Sequence, residues 1–92
     1  MSVRRVQVYV RGVVQGVGFR YHTKERSAAL RLTGFVRNRQ DRSVEVEAEG
    51  DSVSIDELIS WLRTGPPHAA VTSLEVHELP PIGTEDSFEI VR

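Results

Sequence analysis

The stretch Val6-Gln7-Val8-Tyr9-Val10, followed through Gly12-Val13-Val14-Gln15-Gly16-Val17-Gly18 into Phe19-Arg20-Tyr21-His22, decides how this chain folds. Val6, Val8 and Val10 alternate with polar or amphipathic neighbours, which is the period of a strand with one buried face. Three glycines in the next seven residues leave the backbone free to curl, with its N–H groups converging on one point. From about Arg20 to Leu32 there is neither Gly nor Pro, and Lys, Glu, Arg, Ala and Leu dominate, so a helix is expected. A helix starting directly after such a curl aims its unpaired amides and positive dipole end at the same point, where Arg20 adds a fixed charge. Loop, helix end and guanidinium then form a cradle suited to a phosphate dianion. The same letters also suit a mobile glycine-rich turn with a surface arginine. Two familiar phosphate motifs are excluded, because Tyr21 stands where GxGxxG needs its last glycine and the loop lacks the Lys-Ser/Thr pair of a P-loop.

Working outward, Gly34 closes the first helical region and opens Phe35-Val36-Arg37-Asn38, a short strand that leads into the polar turn Arg39 to Arg42. Ser43 to Glu49 alternates cleanly, placing Val44, Val46 and Ala48 inward and Glu45, Glu47 and Glu49 on a solvated face, so the two strands should pair as a hairpin. A second helix is expected from Ser54, read as N-cap with Glu57 in a capping box and Val53 stapled to Leu58. Ile55, Leu58, Ile59 and Leu62 form its buried stripe, and Gly65-Pro66-Pro67 stops it. Leu74 and Val76 mark a fourth strand, Phe88 and Ile90 a short fifth at an edge. The order β-α-β-β-α-β with an added terminal strand predicts an α+β, ferredoxin-like split βαβ sandwich. Two helices should cover one face of a four- to five-stranded, mostly antiparallel sheet while the other face meets water. Residues 1–92 should form one domain.

Composition narrows the function. Ninety-two residues can bury only roughly two-thirds of the surface of the unfolded chain, so stability should be modest. The chain has no cysteine, which removes disulfides, thiolate catalysis and Cys-ligated zinc. No apolar run approaches the ~20 residues of a membrane span and no secretory h-region is visible, so a cytoplasmic protein with no membrane partner is expected. Net charge is −1, against a general nucleic-acid binder, although basic residues crowd between Arg4 and Arg42 around the proposed cradle. The spacing of His22, His68 and His77 matches no metal pattern, and all three read as surface residues; Tyr9 and Tyr21 read as packing residues. No metal and no cofactor are expected. Asn38 lies two residues from Val36, so it should emerge on the helix-covered face at the strand end, with one acceptor and two donors able to orient a water. Its other reading is a residue closing the turn.

The runs Val14-Gln15-Gly16-Val17-Gly18-Phe19-Arg20, Gly34-Phe35-Val36-Arg37-Asn38 and Gly65-Pro66-Pro67 with Val71 beyond resemble the acylphosphatases over nearly the whole chain. The resemblance implies the same fold and hydrolysis of small acyl phosphates to a carboxylate and inorganic phosphate; a freestanding monomer is expected. It implies that Gln15, Gly16, Val17, Gly18, Phe19 and Arg20 hold the substrate phosphate, and that Asn38 positions the attacking water. Inorganic phosphate, as product, should compete. Two departures bear on stability: Asp41-Arg42-Ser43 stands where the family commonly has Asp-Gly-Ser, and Leu30-Arg31-Leu32 where it has Leu-Gly-Leu. A left-handed backbone at either arginine would cost on the order of 1 kcal/mol.

Two other functions fit a domain of this size. An RNA-recognition domain would need stacking aromatics on the open sheet face, where Glu45, Glu47 and Glu49 would instead repel a phosphate backbone. A phosphate-handling domain of a larger carbamoyl-transfer enzyme would need further domains, and the reading here is of a freestanding enzyme.

Overall fold

The computed structural model describes residues 2–92. Strand β1 (Val3–Val13) leads to helix α1 (Phe19–Ala29), the hairpin of β2 (Thr33–Asn38) and β3 (Val44–Asp51), helix α2 (Ser52–Leu62), and strands β4 (Ala70–Leu79) and β5 (Phe88–Ile90). The sheet order is β4-β1-β3-β2-β5. All pairings are antiparallel except that of β2 with β5, where Gly34, Phe35 and Val36 face Phe88, Glu89 and Ile90 in parallel. This is the ferredoxin-like arrangement, with both helices on one face. Val6, Val8 and Val10 of β1 and Val44, Val46 and Ala48 of β3 meet Phe19 of α1 and Ile55, Leu58 and Leu62 of α2 in a core that excludes water.

Three expectations need correction. The second helix begins at Ser52, not Ser54, and its cap is Asp51, whose carboxylate accepts from the Val53 N–H at 3.3 Å. Strand β3 runs into α2 with no intervening loop, so the residue that ends the strand also caps the helix. Val53 is 65% exposed and staples nothing.

The first helix ends at Ala29, two to three residues early. The Arg31 N–H returns to the Ala28 carbonyl and the Leu32 N–H to that of Ser27, the paired bonds of a Schellman stop. Arg31 occupies the left-handed position at φ 60° that glycine ordinarily takes there, and Arg42 in the hairpin turn stands at φ 72°. Both arginines therefore carry the backbone strain that their positions implied.

The third correction concerns the sheet face opposite the helices, which is partly covered. Glu45 and Glu49 are buried there, not solvated. Segment 80–87 crosses this face. The amides of Ile82 and Gly83 donate to the Glu49 carboxylate at 2.8 and 2.9 Å, while Arg5, itself 3% exposed, reaches Glu47, Glu49 and Glu85. Buried charges persist only when paired and hydrogen-bonded, and this network meets that requirement. Glu49 is held below the usual carboxylate range, first by the Ile82 amide and then by Arg5, against the opposing effect of burial.

Candidate active site

The loop that leaves β1 is pinned at both ends. Val14 and Phe19 are buried in the core, with Phe19 packed against Trp61 at 5.8 Å between ring centroids. Gly12 belongs to β1, beside an irregularity in its pairing with β4, so the curl is confined to residues 14–18. Gly16 and Gly18 stand at φ 75° and 76°, where a side chain would be strained, and Gly18 turns directly into the first residue of α1. The first backbone bond of α1 runs from the His22 N–H to the Gly18 carbonyl. The N–H groups of Phe19, Arg20 and Tyr21 therefore precede any intrahelical partner. No side chain caps them and no carboxylate stands in the first turn. An anion fits that helix end by hydrogen bonding and by dipole.

Arg20 is exposed at this junction, and among the described residues it forms no salt bridge and no side-chain hydrogen bond. Asn38 ends β2 opposite Val44, on the same sheet face as buried Val36. Its Oδ1 is buried and has no hydrogen-bond partner. An unpaired buried amide oxygen costs about 1–3 kcal/mol, which marks a group held for a further partner. Gly16, Gly18, Arg20, Tyr21, Asn38 and Ile90 line one cleft of about 210 Å³. Larger hollows lie along the β2–β3 turn, about 410 Å³, between the helices near Trp61, about 500 Å³, and beside the end of α1 and Phe88, about 420 Å³. None of these combines an uncapped helix end with an unpaired buried acceptor, so the smaller cleft is the candidate site.

The structure thus brings Gly16, Gly18, Phe19, Arg20 and Asn38 to one cleft, while Gln15 and Val17 are not among its lining residues. The Gln15 side chain donates to the carbonyls of Arg39 and Ser43 at 2.8 and 2.9 Å. Ile90 and Tyr21 were not expected in the cleft. Tyr21 is 57% exposed at the rim, bonded to Glu25 at 3.0 Å, and so is not a packing residue. Ile90 arrives through the parallel pairing of β5, which no local pattern in the chain announces. His22, His68 and His77 are exposed, as expected.

Fold and cleft define a small α+β domain of the ferredoxin-like class, with a small cleft at an uncapped helix N-terminus. Comparison with known proteins makes the assignment specific. A sequence model of the family Acylphosphatase matches residues 6–90. An acylphosphatase of Rubrobacter xylanophilus is 48% identical over 89 residues, covering 97% of this chain and 81% of that protein. One of Methylococcus capsulatus is 46% identical over 90 residues, covering 98% of each. The crystal structure of acylphosphatase from Bacillus subtilis superposes with a TM-score of 0.93 at 33% identity, covering 99% of this chain and all of that one. The chain belongs to the acylphosphatase family, hydrolases that act on acid anhydrides.

Proposed function

We propose that this chain hydrolyses the carboxyl-phosphate bond of small acyl phosphates by direct attack of a water on phosphorus. The observation that carries the proposal is the meeting, in one small cleft, of three uncapped helix amides, Arg20 and the buried, unpaired Oδ1 of Asn38. The loop amides from Gln15 to Arg20 take the phosphate oxygens, and the Arg20 guanidinium closes on two of them as a bidentate fork. Phosphoryl transfer passes through a loose transition state whose charge lies on the peripheral oxygens, so positioning and fixed positive charge supply most of the catalysis. Asn38 accepts from the attacking water through Oδ1 and holds its lone pair toward phosphorus. The proton passes to a phosphate oxygen of the substrate, and the carboxylate departs without a general acid because it is already a stable anion. Inorganic phosphate is the second product and a competitor for the same amides.

The same reading makes residues 1–92 one acylphosphatase domain, working as a cytoplasmic monomer on free small molecules, without nucleic acid. No helix among the described residues is long and apolar enough to cross a membrane.

Hydrolysis of an acyl phosphate by the purified chain in ¹⁸O-labelled water tests the chemistry. One labelled oxygen should appear in phosphate and none in the carboxylate. Label in the carboxylate would mean attack at the carbonyl carbon and would overturn the proposal.

A further inference from the structure

We propose that the side chain of Gln15 is a positioning residue that sets the distance between the phosphate cradle and Asn38, a proposal that rests on the reading of the site given above. Gln15 is the first residue of the cradle, between buried Val14 and Gly16. Its Nε2 donates to the carbonyls of Arg39 and Ser43, at 2.8 and 2.9 Å. Both acceptors are carbonyls, so the nitrogen, and not the amide oxygen, faces them. These two residues close the turn that follows Asn38, where the Arg39 N–H donates to the Ser43 carbonyl at 2.9 Å. Among the described residues, no other side-chain hydrogen bond joins residues 14–18 to the β2–β3 hairpin. The cradle and the residue proposed to hold the water sit on different elements, and the Gln15 amide is their polar link.

The accessory nature of this link separates positioning from stability. Each carbonyl that Gln15 bonds already accepts a backbone N–H, that of Arg42 at Arg39 and that of Arg39 at Ser43. Loss of the Gln15 amide therefore leaves neither carbonyl without a donor, and the turn can persist. What is lost is the register between loop and strand end. A misplacement of about an ångström between a water and its target lowers turnover by as much as ~100-fold without touching the groups that bind phosphate.

The test is a double-variant cycle on Gln15→Met, which keeps the length of the side chain and removes both donors, and Asn38→Ala. Gln15→Met should fold, bind inorganic phosphate within about threefold of the parent, and lose about 10- to 30-fold in kcat. Because Gln15 acts through Asn38, the double variant should be no more than about twofold slower than Asn38→Ala alone. A double loss equal to the product of the single losses, a Gln15→Met kcat at the parental value, or a loss in phosphate affinity matching the loss in kcat would overturn the proposal while leaving the proposed function standing. A folded Asn38→Ala with near-parental kcat would instead overturn the reading of the site, and the positioning role with it. If Gln15→Met does not fold, the parent protein supplies the answer. Scalar couplings from the Gln15 side-chain nitrogen to the Arg39 and Ser43 carbonyl carbons are expected, and their absence would overturn the proposal.

Discussion

The two faces of the sheet treat their polar groups in opposite ways. On the face under segment 80–87, Arg5 is divided among three glutamates, Gln7 and Arg37 both bond Glu45, and two backbone amides bond Glu49. On the helix face, at the end of β2, the Asn38 oxygen is buried and unpaired, the first amides of α1 are uncapped, and among the described residues Arg20 makes no side-chain bond. A satisfied network stabilises one arrangement and has nothing further to offer. An unsatisfied cluster is a standing cost that the fold offsets elsewhere, and it gains when a ligand of matching charge arrives. Charge density alone therefore misleads here. The more heavily charged face is internally satisfied, and the sparser cleft is the one proposed for chemistry.

The comparison would be broken most severely at Arg20. Arg20→Ala should lower kcat/KM by about 10³-fold or more, near 4 kcal/mol, with KM rising and kcat falling together, because the guanidinium meets charge in both the bound and the loosening phosphoryl group. Steady-state kinetics decide it, and a folded variant within tenfold of the parent would remove Arg20 from the mechanism. Asn38→Ala should lower kcat by about 100-fold, or 2.7 kcal/mol, while leaving the Ki of inorganic phosphate nearly unchanged. A parallel loss of phosphate affinity would show that Asn38 binds the anion and does not orient water.

On the satisfied face the effect should appear in stability alone. Glu49→Gln should lower the unfolding free energy by about 1–3 kcal/mol at neutral pH, with kcat/KM unchanged well below the melting temperature. The sign with pH follows from the depressed folded-state pKa. The contribution of Glu49 is complete above its ordinary value of 4.5 and is lost as pH falls from there through the lower folded-state value. Denaturant titrations should show the parent losing its margin over Glu49→Gln across that acid window. A constant margin from pH 7 to the acid limit would deny that the Glu49 charge stabilises the crossing segment.

The smallest effects belong to the two strained arginines. Arg31→Gly and Arg42→Gly should each stabilise by up to about 1 kcal/mol, the relief of positive φ exceeding the added entropy of the unfolded chain. Destabilisation of both would mean that the arginine side chains contribute more than their backbones cost.

The sequence disclosed the parts governed by local period. The alternation of β1 and β3, the apolar stripe of α2 and the sharp turn into Arg20 were all readable, because each follows from side-chain spacing along one element. The parts set by contacts distant in sequence were not. Glu45 and Glu49 alternate as solvated residues would, yet segment 80–87 bonds Glu49 from 33 and 34 positions away, and Gln7 and Arg37 bond Glu45. Ser54 with Glu57 forms a plausible cap, yet Asp51 takes the role because β3 continues without a break to the helix. The Gln15 side chain could bond many partners, and its span to Arg39 and Ser43 exists only once the hairpin lies beside the loop. Positive φ at Arg31 and Arg42 was open in the sequence, raised only because the resemblance puts glycine at both positions, and the backbone itself decides it.

The most direct test of the central contrast follows backbone amide and side-chain resonances while inorganic phosphate is titrated into the protein at fixed ionic strength. From that contrast, saturable shifts confined to residues 15–21 and Asn38 are expected, with Arg5, Glu49, Ile82 and Gly83 unmoved. Saturable shifts centred on the Arg5–Glu49 face, or none at all around Arg20 at millimolar phosphate, would contradict it.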